Sequence, residues 1–213
     1  MAENKNYHSF VFDTENRKFV GEFEEMYKED LNGNFDSWHQ DDLRDFSKRI
    51  VHTLLEDYTF ETVVDIGCGK AQNTQFFKKR NNKVLGLDIS ETALKIGRSK
   101  FPDISFSHFD LNSNFSELSN ILFSFFKIPQ IDLIICLEVL SYIENWRQVL
   151  EKFKSCTNYC LCGLYLPDDP IGFIKSEDEF LSEFENHFNL IEFISLKSSK
   201  HFIAFGEIKK TTY

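Results

Sequence analysis

The run Val63-Val64-Asp65-Ile66-Gly67-Cys68-Gly69-Lys70-Ala71 sets an acid and two glycines at the end of a short β-branched apolar stretch. Glycine has no Cβ, so a backbone turn built from it can lie directly against a ligand. A turn at the carboxyl end of a first parallel strand is where an α/β sheet opens its crevice. A sharp strand-to-helix turn can also use glycine for its own geometry, so this motif alone leaves both readings open. Asp88 follows Gly69 by 19 positions and ends a second apolar run, Val84-Leu85-Gly86-Leu87. An acid about 20 residues past a glycine loop is placed to accept hydrogen bonds from both hydroxyls of a ribose. Its alternative role, capping the next helix, falls to Ser90. A dinucleotide fingerprint is Gly-x-Gly-x-x-Gly, and here its last position is Gln72. That counts against a nicotinamide or flavin cofactor.

The elements that must position these residues alternate in type. Residues 22–58 are expected to be helical, broken at Asn32-Gly33-Asn34, with Leu43, Phe46, Ile50 and Leu54 forming an apolar stripe widened by Val51 and Leu55. Strands are expected at residues 62–66, 83–87, 104–109, 131–137 and 159–166. Helices are expected at 73–80, from Ser90 to about 100, at 117–127, and around Trp146, Val149, Leu150 and Phe153. The run 131–137 is continuously apolar, as in a central strand covered on both faces. Ser176 and Glu179 form a capping-box pattern before a helix carrying Phe180, Phe184 and Phe188. The last two strands, 190–196 and 201–208, are separated only by residues 197–200. That is too short for a helical crossover and dictates an antiparallel hairpin. The fold class is therefore α/β, a Rossmann-like open sheet of about seven strands. It is mostly parallel with a C-terminal antiparallel hairpin and helices on both faces. One domain spans residues 1–213, with 1–60 as an N-terminal helical cap and 61–213 as the core.

Composition narrows the partners. The formal net charge of the 213 residues is −10, which argues against a nucleic-acid substrate gripped by its phosphates. The basic cluster Lys78-Lys79-Arg80 falls at an expected helix C-terminus, where it complements the dipole. No stretch has the length of an apolar membrane span, and the first residues lack the apolar segment of a signal peptide. Cys68, Cys136, Cys156, Cys160 and Cys162 sit mostly in apolar runs and number five, which indicates reduced thiols in the cytoplasm. Cys160 and Cys162 share a strand face. No metal-binding constellation is present in the sequence.

Taken in order, the motifs resemble those of the class I S-adenosylmethionine-dependent methyltransferases. Asp65-Ile66-Gly67-Cys68-Gly69-Lys70-Ala71 resembles the family's first motif, Asp-x-Gly-x-Gly-x-Gly, with Ala at the last glycine. Asp88, with Ile89 after it, matches the acid that holds the ribose. His108-Phe109-Asp110-Leu111 matches the motif whose acid contacts the adenine amino group. Residues 131–140, with Leu137 and Glu138, match the fourth strand and its loop, which face the methionine part and the acceptor. The closing hairpin is also a family feature. The resemblance covers roughly residues 62–208. More finely, Glu25-Met26-Tyr27, Trp38, residues 137–142 and Leu166-Pro167 look similar to small-molecule methyltransferases of the nodulation N-methyltransferase type. That resemblance implies that Tyr27 and Trp38 cover the cofactor from the cap, though Trp38 has an equal reading as plain packing.

The resemblance implies S-adenosyl-L-methionine as cofactor and an in-line displacement, in which the protein mainly positions acceptor and methyl. Asp65, Asp88 and Asp110 hold the cofactor in that reading. An O-acceptor needs a base for its proton, and an N-acceptor must present a neutral lone pair. Candidate bases are Glu138, His39 and His108, with His39 first among the histidines because it adjoins Trp38. Tyr142 and Tyr165 are candidate orienters, and His108 has a packing alternative. The expected acceptor is a small molecule of sugar or nucleotide-sugar type. The competing expectations are a silent cofactor-binding protein of the same fold and an NAD-dependent oxidoreductase.

Overall fold

A computed structural model describes residues 7–42 and 45–209. The chain opens with a 3₁₀ turn, Tyr7–Phe10, and a two-stranded ribbon of β1 (Phe12–Asp13) and β2 (Lys18–Phe19). Helix α1 (Phe23–Leu31), a 3₁₀ turn at Ser37–His39 and helix α2 (Phe46–Leu54) complete the cap. The expected helical region 22–58 is thus two nine-residue helices with irregular chain between them. The Asn32-Gly33 turn ends the first, and Asp45 starts the second by accepting the Lys48 N–H through its side chain. Leu43, assigned to the apolar stripe, lies outside the described residues. Phe46 is 61% exposed and so departs from that stripe, while Val51 and Leu55 are buried.

The central sheet has seven strands: β3 (Thr62–Ile66), β4 (Lys83–Asp88), β5 (Ser105–His108), β6 (Ile131–Leu137), β7 (Thr157–Tyr165), β8 (Phe188–Leu196) and β9 (His201–Ile208). Their spatial order is β5-β4-β3-β6-β7-β9-β8. All neighbouring pairs are parallel except those of β9, which runs antiparallel to both β7 and β8. The chain reverses its direction of travel across the sheet between β3 and β6, so the crevice of an open α/β sheet belongs at their carboxyl ends.

Helices α3 (Glu91–Lys100), α4 (Leu111–Asn114), α5 (Leu118–Phe126), α6 (Trp146–Lys154) and α7 (Glu177–His187) connect the strands. One face of the sheet packs α5, α6 and α7 through Leu122, Phe126, Trp146, Phe153, Phe180 and Phe184. The other packs Val51 and Leu55, at the end of α2, with Phe77 and Ile104. Every residue of β3 is buried. The capping signals act as expected: Ser90 Oγ accepts the Ala93 N–H, and Ser176 Oγ accepts the Glu179 N–H.

The helix expected at 73–80 is not formed. Thr74–Phe77 makes a single 3₁₀ turn. Asn82 ends it by donating to Phe77 O and accepting the Lys79 N–H. The Lys78-Lys79-Arg80 cluster therefore has no helix dipole to complement, and Lys78 Nζ instead donates to the carbonyls of Lys79 and Asn82. All five cysteines are buried and free, and Cys160 and Cys162 do share a face, with sulfurs 3.6 Å apart. No helix among the described residues is long and apolar enough to cross a membrane.

Candidate active site

A cavity of about 680 Å³ opens at the carboxyl ends of β3, β4 and β6, within the size range of small-ligand sites. The glycine turn lies at its floor. Gly67 has φ +74° and Gly69 φ +54°, the left-handed region that suits glycine. A Cβ on Gly67 would stand 2.1 Å from Val139 Cγ2, and one on Gly69 would meet the side chains of Gln40 and Tyr27. Gly67 lines the cavity, whereas Gly69 is sealed beneath the cap. Ala71, at the position of the family's third glycine, also has φ +63°. The backbone thus keeps a glycine conformation although the residue is alanine.

Asp88 reaches back to this turn. Its Oδ2 accepts the Gly69 N–H at 2.8 Å and its Oδ1 accepts the Ser90 N–H at 2.8 Å. Each carboxylate oxygen has a second lone pair, so both can still accept from a vicinal pair of hydroxyls. Burial pushes the Asp88 carboxyl up to about 6 against those two backbone hydrogen bonds. Asp65 is raised further, to about 7, by burial and by nearby Asp88, although Thr74 Oγ1 donates to it at 2.5 Å. Cys68, Ile89, Phe109, Asp110 and Leu111 continue the wall toward β5. Asp110 caps α4 by accepting the Asn112 N–H. A hydroxyl-facing acid, apolar groups on either side and a second acid beyond them fit a nucleoside better than a metal. Among the described residues no cluster of His, Cys, Asp and Glu could hold a metal ion.

The opposite end of the cavity is formed by Leu137, Glu138, Tyr142 and Tyr165. Glu138 has a left-handed backbone, φ +59°, at the point where β6 ends. Its amide donates to Gly163 O, and its Oε2 accepts the Tyr165 N–H at 2.7 Å. Burial lifts its carboxyl to about 8; the Tyr165 hydrogen bond and Lys48 oppose the rise, and Asp45 adds to it. Tyr142 is buried in a ring cluster with Phe12, Phe19, Phe23 and Trp38. Burial, and then Glu138, hold its phenol well above the usual range.

The cap closes over the top. Tyr27 is buried, and its hydroxyl accepts from Gln40 Nε2, while Gln40 Oε1 accepts the Lys70 N–H. Lys70 is 2% exposed, and its ammonium donates to Asp30, Asp36 and Asp41 at 2.9–3.1 Å. Trp38 and His39 have φ +57° and +47°, and strained backbone of this kind gathers at functional sites. His39 is exposed at the cavity rim. His108 is neither packed nor in the cavity: it sits exposed at the end of β5, opposite Asp88.

Comparison with known proteins agrees with this geometry. Residues 64–158 match the family model for a methyltransferase domain. A 74-residue stretch of this chain is 31% identical to the protein named "Putative methyltransferase 235L" of Invertebrate iridescent virus 6, and that stretch spans 33% of the chain and 28% of the viral protein. An S-adenosylmethionine-dependent methyltransferase from Clostridium acetobutylicum shares the fold with a TM-score of 0.65 at 11% identity, covering 86% of this chain and 99% of that one. Magnesium protoporphyrin IX methyltransferase from Synechocystis, solved with bound SAH, superposes with a TM-score of 0.60 at 16% identity over 80% of this chain and 84% of its own.

All the sequence-derived site residues line the cavity except Gly69 and His108. Sequence reasoning missed Lys70, Gln40, Tyr7 and His201. Lys70 lies inside the first motif, and nothing local marks it as the partner of three distant aspartates. His201 is a lone histidine opening a strand, a pattern without a chemical signature.

Proposed function

We propose that this chain transfers a methyl group from S-adenosyl-L-methionine to the N or O of a small molecule, with a sugar or nucleotide-sugar-type intermediate as the expected acceptor class. The carrying observation is the continuous cavity with Asp88 and the glycine turn at one end and Glu138 at the other. Bound cofactor supplies an electrophilic methyl on a positively charged sulfur. Asp88 accepts from its ribose hydroxyls, and Asp110, Ile89 and Leu111 surround its base. Asp65 and Cys68 face its middle, with Leu137 closing the methionine end. The buried carboxyls of Asp65 and Asp88 and the half-buried one of Glu138 favour a cationic ligand, because a nearby positive charge restores their ionised forms. Tyr27 and Trp38 exclude water from above. Glu138 takes the acceptor's proton, Tyr142 and Tyr165 orient the acceptor, and His39 stands at the entrance as the alternative base. Five buried thiols suit a reducing compartment such as the cytoplasm.

Calorimetric titration with S-adenosyl-L-methionine tests the cofactor half. We expect binding by the intact protein and a loss of about 100-fold in Asp88→Ala, as befits losing hydrogen bonds to a charged group. An intact protein that binds none of it removes the reading. An acceptor screen read by release of S-adenosylhomocysteine tests the transfer half, and sustained silence with all acceptors favours a binding protein.

A further inference from the structure

We propose that His201 is the proton relay of the acceptor side, acting through Glu138. The idea rests on the methyl-transfer reading above. His201 opens β9 directly opposite Tyr165 of β7, and the two rings pack with centroids 5.2 Å apart. Its Nδ1 lies 2.7 Å from Ser199 O. A carbonyl oxygen only accepts, so Nδ1 bears the hydrogen, and the neutral ring then keeps its lone pair on Nε2. Nε2 faces Glu138 Oε1 at 3.7 Å, about half an ångström beyond hydrogen-bond range. The other oxygen, Oε2, is held by the Tyr165 N–H. Oε1 is therefore the oxygen free to exchange a proton, and the imidazole lone pair is aimed at it. Both residues line the cavity, and their side chains are 23% and 32% exposed, so the pair as a whole reaches solvent.

The neighbouring lone pair gives the Glu138 proton a second place to go. Burial raises Glu138 to about 8, so at neutral pH the carboxyl mostly holds a proton that must leave before it can accept another. Passing that proton to Nε2 leaves a carboxylate, and the imidazolium then releases it to water. In the transfer step, the acceptor's lone pair forms a bond to the methyl carbon as the methyl–sulfur bond breaks, and that bond's electrons stay on sulfur. The acceptor's proton passes to Oε1, then to Nε2, then to solvent. The other titratable groups around the pair hold hydrogen bonds of their own, although the charges of Asp45 and Lys48 reach Glu138 and that of Asp45 meets His201. Lys48 donates to the carbonyls of His39 and Asp42, and Asp45 accepts from Ser47 and the Lys48 N–H. Tyr7, raised to about 12, and Tyr142 keep their phenolic protons. Burial likewise holds the Cys136 thiol protonated on β6, and Tyr165 meets Glu138 through its backbone. His201 is a positioning residue for the proton, and its removal should change acid–base behaviour without changing cofactor binding.

Two measurements on the full chain with S-adenosylhomocysteine bound test this. In ¹⁵N ring spectra, neutral His201 should be protonated on Nδ1, and Glu138→Gln should shift its Nε2 resonance, because Oε1 is the group that Nε2 faces. A ring protonated on Nε2, or an Nε2 resonance that Glu138→Gln leaves unmoved, overturns the relay whatever the acceptor. His201→Phe keeps the packing against Tyr165. With whichever of a panel of simple amines and amino sugars turns over, it should lower kcat about 100-fold. It should also move the acidic limb of kcat to higher pH and leave the KM for S-adenosyl-L-methionine unchanged. An unchanged kcat and pH profile also overturns the proposal. Failure of the intact protein to bind S-adenosyl-L-methionine instead defeats the methyl-transfer reading, while the ring spectra still report whether the two side chains share a proton.

Discussion

The floor of the cavity and its roof hold their positions by different means. The floor is made by the ends of β3, β4 and β6, tied into a parallel ladder and buried on both faces. The roof, residues 7–42, adds no strand to that sheet and is fastened by side chains alone, an apolar cluster that takes in Ala93 and Tyr142 together with a set of polar contacts. Lys70 grips Asp30, Asp36 and Asp41, and Gln40 bridges Tyr27 to the Lys70 amide. Glu24 accepts from Ser90 and Thr92 at the start of α3. A backbone ladder fixes the floor almost independently of side-chain identity. Individual side-chain contacts fix the roof, so substitutions at Tyr7, Phe12 and Phe19 should leave the floor in place.

Damage to the floor should have the largest effect. Gly67→Ala forces a Cβ into Val139 and puts an L-residue at φ +74°. We expect a loss of about 4 kcal/mol, or about 10 °C in melting temperature for a domain of this size, with S-adenosyl-L-methionine binding abolished. A normally melting, cofactor-binding Gly67→Ala would break the contrast at once. Lys70→Met should come next, at about 3 kcal/mol. It strands carboxylates around a site that is buried at Asp30 but half-open at Asp41. Limited proteolysis should then cut within residues 30–42 while the sheet stays intact. Resistance there, with melting as a single unit, would show that roof and floor are one body.

The third test uses pH. Folded Asp65 keeps its proton up to about pH 7, against a reference value of 3.8. Between those values the folded state binds more protons than the unfolded chain, so stability falls as pH rises, by up to about 4 kcal/mol. Asp65→Asn should flatten that slope in chemical denaturation of the ligand-free protein, and an unchanged slope would remove Asp65 as its source. The smallest effect belongs to the roof's rim. Arg17 and Asp169 pair at 2.6 Å but are 51% and 79% exposed, so Asp169→Asn should shift melting by less than about 2 °C. A larger drop would mean that the roof's surface contacts hold more than solvent-screened pairs usually do.

The same division explains what the sequence makes legible. Strand β6, the closing hairpin and the Asp65–Asp88 spacing are read directly, because ladders and tight turns impose short-range rules on residue type. The segment 73–80 misleads: its composition suits a helix, but Asn82 ties the chain back after one turn. The roof is the least legible part. Lys70 and Asp30 lie 40 positions apart, and no periodicity announces a partnership across that span. His201 is invisible for a related reason, because its meaning comes from the register that sets it beside Tyr165.

Strand β9 is the last element of the described chain, yet it lies inside the sheet, between β7 and β8. A chain emerging from the ribosome has the glycine floor complete long before β9 appears, and β7 waits with an open hydrogen-bonding edge. Cofactor could be held at that stage, but the residue facing Glu138 would still be missing. In the methyl-transfer reading the cofactor end is thus made before the corner around Glu138, and β8 gains its one ladder partner only when β9 arrives to join it to β7.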